Sequence, residues 1–132
     1  MFLISNGPVS WLSKKQPIVT LSTCEAEYVA LSTATQEAVW IKRLLSDFHV
    51  PQKEATVIME DNQGAICIAK NPVVQARTKH IDIRHHYVRE AVSDDIVRLQ
   101  YCPTEEMIAD IFTKPIPKHS LRNYVVTWDL GN

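Results

Sequence analysis

The stretch Leu21–Phe48, LSTCEAEYVALSTATQEAVWIKRLLSDF, constrains this chain more than any other. It holds no Gly or Pro. Apolar side chains recur at Ala26, Ala30, Ala34, Ile41, Leu44, Leu45 and Phe48, at steps of three, four or seven, which is the period of an amphipathic helix. Ser22 is a natural N-cap, and Glu25 three residues later completes a capping box. At ~1.5 Å per residue the helix spans roughly 40 Å, so other elements must pack along it. Its second carboxylate, Glu27, lies on the border of the apolar stripe and has no part in the capping box. Taken alone, such a residue is more simply a solvated side chain than a ligand.

With 132 residues, 45% of them hydrophobic and 22% charged, the chain is a soluble globular domain of common size, not a disordered segment. Its net charge of -1 hides an asymmetry. Residues 1–24 carry Lys14 and Lys15 and no acid. Residues 70–89 hold Lys70, Arg77, Lys79, Arg84 and Arg89 with His80, His85 and His86, against Asp82 alone. Residues 90–110 reverse the sign, with acids at Glu90, Asp94, Asp95, Glu105, Glu106 and Asp110 against Arg98. A basic surface beside an acidic cluster suits a protein that grips a phosphate backbone and carries metal next to it. On charge alone, a patterned but idle surface is the slightly simpler explanation.

Three widely spaced cysteines, Cys24, Cys67 and Cys102, show neither a pairing nor a zinc spacing, which points to a reducing compartment. Met1-Phe2-Leu3-Ile4 is too short for a signal peptide or a membrane span, so no membrane partner is expected.

Taken in order, Phe2-Leu3-Ile4 and Val9–Ser13 predict two paired strands around the turn Ser5-Asn6-Gly7-Pro8, and Ile18-Val19-Thr20 predicts a short third strand. After the long helix, His49-Val50-Pro51 ends it and residues 56–61 read as a buried, central parallel strand. A short helix follows over Gly64–Lys70 and another begins near Thr78 or Asp82, carrying Ile83, Tyr87, Val88 and Ala91. Ile96–Tyr101 alternates as a strand. Thr104 then caps a last helix whose buried face is Ile108, Ala109, Ile111 and Phe112. The order is β-β-β-α-β-α-α-β-α, an α/β domain over residues 1–117 with a C-terminal tail, 118–132, in which Tyr124 and Trp128 suggest docking.

Acids stand at three informative places in that order. Glu27 lies in the first turns of the long helix, Asp61 at the carboxyl end of the parallel strand where ligands collect in open α/β sheets, and Asp110 in the last helix. Carboxylates converging from separate elements are what hard divalent cations require, and two-metal phosphodiester cleavage needs several of them.

The segments SWLSKKQ, STCEAEYVALSTATQEAVWIKRLL, EDNQGAICIAKNP, RTKHIDIRHHYVRE and YCPTEEMIADIFTKP resemble, in this order, the ribonuclease H domain of Ty1/copia-type retrotransposon Pol polyproteins. The resemblance covers about Leu3 to Pro117. It implies a ribonuclease H-like fold, a mixed sheet with helices on both faces, and hydrolysis of the RNA strand of RNA–DNA hybrids made by the adjacent reverse transcriptase. It implies Mg²⁺ or Mn²⁺ of the two-metal type, held by carboxylates that match Glu27, Asp61 and Asp110. The family's cytoplasmic retroelement particles imply the location, with the nucleus as a second site. The family's first carboxylate, an Asp on the first, central strand, falls upstream of the residues matching Phe2-Leu3-Ile4, and no Asp or Glu precedes Glu25. The expectation is a domain lacking its first strand and weak or inactive as an enzyme. The alternatives are a non-catalytic nucleic-acid-binding remnant or an inactive retroelement fragment.

Lys14, Lys15 and Arg77 are candidate phosphate contacts, with solvated side chains as the equal alternative. Lys79 and His80 are candidates for a substrate backbone, and a zinc cluster of His80, His85 and His86 is the weaker alternative because no further Cys or His completes it. Burial of the His86 ring beneath its helix is a third option. Asn62 and Gln63 are candidates for the RNA sugar edge, although N-capping is a sufficient reason for Asn62. Trp11 and Trp40 read as core residues and Cys67 as a buried small one.

Overall fold

The computed structural model describes residues 1–5, 7–16, 19–20, 22–71, 79–112 and 115, and the side chains of all of these but 79–82 and 85. In chain order the elements are β1 (Phe2–Ile4), β2 (Gly7–Ser10), α1 (Thr23–Asp47), β3 (Thr56–Glu60), α2 (Gln63–Lys70), α3 (Lys79–Ser93), β4 (Val97–Tyr101) and two 3-10 turns, Thr104–Glu106 and Ile108–Phe112. The architecture is mixed α/β, with three helices and two small sheets, and is compatible with a ribonuclease H-like fold. The chain divides into two compact units, one from Met1–Val19 and Glu105–Asn132, the other Thr20–Thr104. None of the described helices is long and apolar enough to cross a membrane.

In the first unit β1 and β2 pair antiparallel, Leu3 opposite Pro8 and Ile4 opposite Gly7, with an irregularity between Phe2 and Leu3. Ser5 turns the chain at φ 50°. The second strand begins earlier than the alternation from Val9 predicts, and Trp11 lies beyond it. Trp11 stacks on Phe112, ring centroids 6.3 Å apart and planes 10° from parallel, and the Ser13 hydroxyl donates to the Phe112 carbonyl at 3.0 Å. The expected third strand is absent at Val19 and Thr20, and Ile18 lies outside the described residues. The last helix is replaced by the two 3-10 turns, where no residue is fully buried. The tail from 118 lies outside the described residues.

The second unit is built on α1. Ser22 caps it as expected, its hydroxyl accepting the Glu25 N–H at 3.1 Å. Its far end is closed by His49 in the left-handed region, φ 63°, with His49 N–H donating to Ser46 at 2.9 Å and Val50 N–H to Leu45 at 2.9 Å. This is a Schellman closure. α3 ends the same way, with Asp95 at φ 51° and Ile96 N–H reaching the Ala91 carbonyl at 2.9 Å. That closure aims the chain straight into β4.

The buried face of α1 differs from the expected stripe. Tyr28, Leu31, Ser32, Thr35 and Ala38 face inward, whereas Ala30 and Phe48 are exposed. Ser32 and Thr35 are small enough to let neighbouring elements approach, and Thr35 satisfies its buried hydroxyl by donating to the Leu31 carbonyl at 2.8 Å. Trp40, Trp11 and Cys67 are exposed rather than core, and Ile83 on α3 is 75% exposed.

Strands β3 and β4 pair in parallel from Thr56 opposite Val97 to Glu60 opposite Tyr101, the crossover between them carrying α2 and α3. Ile58, Glu60, Val97 and Leu99 share the covered face with Ala65 and Ala69 of α2 and Val88 and Ala91 of α3. Val57 and Met59, on the other face of β3, are half exposed, so this strand alternates instead of being buried on both sides. Leu31, 2% exposed, anchors the α1 side of the core. Leu31→Ala is expected to lower unfolding stability by about 2–4 kcal/mol, and His49→Gly to raise it by up to about 1 kcal/mol, both read by urea denaturation.

Candidate metal centre

The site forms where β3 ends. Asp61 follows the last strand residue, and Asn62 turns the chain into α2 as its N-cap, its Oδ1 accepting the Ala65 N–H at 3.1 Å. The backbone N–H of Asn62 points back and donates to Glu60 Oε1 at 3.1 Å. On the neighbouring strand, Cys102 N–H donates to the Glu60 carbonyl at 3.0 Å, which carries the parallel pairing one step past β4. Two residues on, the Thr104 hydroxyl donates to Asp61 Oδ2 at 2.9 Å.

Glu27 arrives from the first turns of α1. A Cβ on Gly64 would lie 3.0 Å from both Cys24 Sγ and Asn62 Oδ1, tighter than ordinary side-chain contact. The bare Gly64 thus lets the opening turns of α1 and α2 close on each other, and Glu27 is one turn on from Cys24. Carboxylate oxygens of Glu27, Glu60 and Asp61 all lie within 4.8 Å of one another. This is the one such group among the described residues.

Glu60 is only 6% exposed. Burial pushes its carboxyl up from 4.5 to about 7, against the pull of the Asn62 N–H, and the charges of Glu27 and Asp61 push the same way as burial. Burial also raises the Cys24 thiol, with Glu60, Glu25 and Glu27 adding to it, so Cys24 is no activated nucleophile. Three hard oxygen donors, one of them buried and hard to ionise unaided, fit a divalent cation by chemistry and by proximity.

Of the carboxylates expected from sequence, Glu27 and Asp61 come together, and Asp110 stands on the second 3-10 turn of the other unit. Glu60 was not foreseen; its place at an inward position of an alternating strand, next to Asp61, was the available signal. Asn62 takes the capping role, and Gln63 is exposed at the start of α2. Lys14 and Lys15 are exposed in the loop after β2, and His86 is exposed rather than packed beneath α3. Arg77 lies outside the described residues, as do the side chains of Lys79, His80 and His85.

The folded chain holds a proton on Glu60 between about pH 4.5 and 7 that the unfolded chain has released. The contribution of Glu60 to stability is therefore fully present below about 4.5 and is lost as pH rises through about 7. Glu60→Gln, which keeps an acceptor for Asn62, should flatten that slope and stabilise the chain above pH 7 by about 1–3 kcal/mol, measured by denaturation across pH.

The chain is similar to the Pol polyprotein of transposon TNT 1-94 from Nicotiana tabacum, 44% identical over 119 residues, 90% of this chain and 9% of the relative. It is 36% identical to that of transposon RE1 from Arabidopsis thaliana over 121 residues, 92% of this chain and 8% of the relative. Against transposon RE2 of the same plant the identity is 35% over 121 residues, again 92% and 8%. The chain thus spans less than a tenth of each of these relatives. No protein-family model and no solved structure matches it. Over nine tenths of its length, its homologues are Ty1/copia-type retrotransposon Pol polyproteins.

Proposed function

We propose that this chain is a ribonuclease H-type segment of a retrotransposon Pol polyprotein, built to hydrolyse the RNA strand of RNA–DNA hybrids. The observation that supports this reading is the meeting of Glu27 and Asp61, from a helix start and a strand end, with buried Glu60 between them in sequence. Glu27, Asp61 and Glu60 would hold Mg²⁺ or Mn²⁺, and Asp110 matches a further carboxylate of the family pattern. When bound, such ions activate water and neutralise charge on the scissile phosphate.

The remaining roles belong to side chains that bind and orient the hybrid. Lys14, Lys15 and Arg77 would offer positive charge to its phosphates, Lys79 and His80 would lie near its backbone, and Gln63 stands exposed two residues after Asp61. Asn62, by capping α2, keeps Asp61 and Gln63 at the helix start. The adjacent partner is a reverse transcriptase segment of the same polyprotein, and the setting is a cytoplasmic retroelement particle.

A second reading is a non-catalytic binding remnant. It is favoured by the exposed Lys14 and Lys15, which attract a phosphate backbone by charge alone and need no metal. The two readings separate in one assay, cleavage of a labelled RNA–DNA hybrid with Mg²⁺ or Mn²⁺. It compares the chain as written, a form extended upstream by a strand bearing Asp, and Asp61→Asn in each. The extended form is expected to cleave at least about 100-fold faster than the chain as written, and Asp61→Asn to abolish cleavage. Hybrid binding that weakens steeply with salt, without cleavage by either form, is the outcome of the binding remnant.

A further inference from the structure

We propose that Thr104 is a positioning residue for the Asp61 carboxylate, holding it in the orientation in which it meets a divalent cation with Glu27 and Glu60. The proposal rests on the metal-binding reading above.

A carboxylate at a strand end rotates freely about its terminal bond unless something holds it, and a ligand that must be ordered on binding costs affinity. The Thr104 hydroxyl supplies that hold, donating to Asp61 Oδ2 at 2.9 Å across 43 residues of sequence. The donor is itself fixed. The Cys102 N–H to Glu60 carbonyl bond, 3.0 Å, sets residues 102–104 alongside the end of β3, and Pro103 stiffens the step between them. The pair is solvent-exposed, so the bond adds little to folding, and its effect falls on where Asp61 points. A hydroxyl donor also leaves the charge of Asp61 intact for a cation, where a Lys or Arg at 104 would neutralise it.

The test is Mn²⁺ binding by the chain as written, followed by electron paramagnetic resonance, alongside Thr104→Val, Thr104→Ser and Asp61→Asn. The melting temperature of each is taken without metal. Thr104→Val removes the donor at constant shape and is expected to weaken Mn²⁺ about tenfold with an unchanged metal-free melting temperature. Thr104→Ser keeps the donor and should stay within about twofold of the parent. Asp61→Asn should lose more than either.

Mn²⁺ affinity that Asp61→Asn abolishes but Thr104→Val leaves unmoved overturns the role of Thr104 and leaves the metal site standing. Equal weakening by Val and Ser overturns it as well, because the hydroxyl is then not what matters. A parent chain that binds no Mn²⁺, indistinguishable from Asp61→Asn, overturns the metal reading and this proposal with it.

Discussion

Parallel pairing of β3 with β4 makes both strands end on the same side, and the bond from Cys102 N–H to the Glu60 carbonyl carries that pairing one step past β4. An antiparallel pair would place the end of one strand beside the start of the other. Here the carboxylates at the end of β3 and the hydroxyl that follows β4 leave the sheet together. Thr104 can therefore reach Asp61, and Glu60 lies beside Tyr101. The crossover that parallel pairing demands is filled by α2 and α3, whose Ala65, Ala69, Val88 and Ala91 cover the inner face of the same two strands.

A second constraint brings the third acid. Gly64 has no side chain to hold Cys24 away, so the opening turns of α1 and α2 close on each other and Glu27 comes to the strand end. The result is electrostatically unfavourable by itself. Burial and two neighbouring carboxylates raise Glu60 to about 7, a conflict between charge and solvation that marks functional sites more often than structural ones. Local rules elsewhere agree with one another: Ser22 and Asn62 cap their helices, and His49 and Asp95 close theirs.

Features that depend on near neighbours were legible from the residues. The span of α1 and its Ser22 cap, the short helix behind Asn62, and strands β3 and β4 follow from helical period, capping chemistry and β-branched runs. Features that depend on which side of an element is covered were not. The stripe of Ala26, Ala30 and Ala34 looked inward by period, yet Leu31, Ser32 and Thr35 are buried instead, because α2, α3 and β3 approach on the side with small hydroxyl residues. A Thr that bonds its own helix carbonyl behaves as a core residue, and hydropathy does not register that. Trp40 and Phe48 failed in the opposite sense, being large, apolar and exposed.

The chemistry of the site divides in the same way. Residue order by itself determined that Glu27 opens a long helix and that Asp61 ends a strand, since capping and strand chemistry are local. It also determined that the motifs run in the order of a retrotransposon Pol segment, to which nine tenths of the chain is similar. Only the tertiary structure decided that Glu60 turns inward to join them and that Thr104 holds Asp61 across 43 residues. Those two facts depend on strand register and on the close approach of two helices. Both are set by packing between segments far apart in the chain.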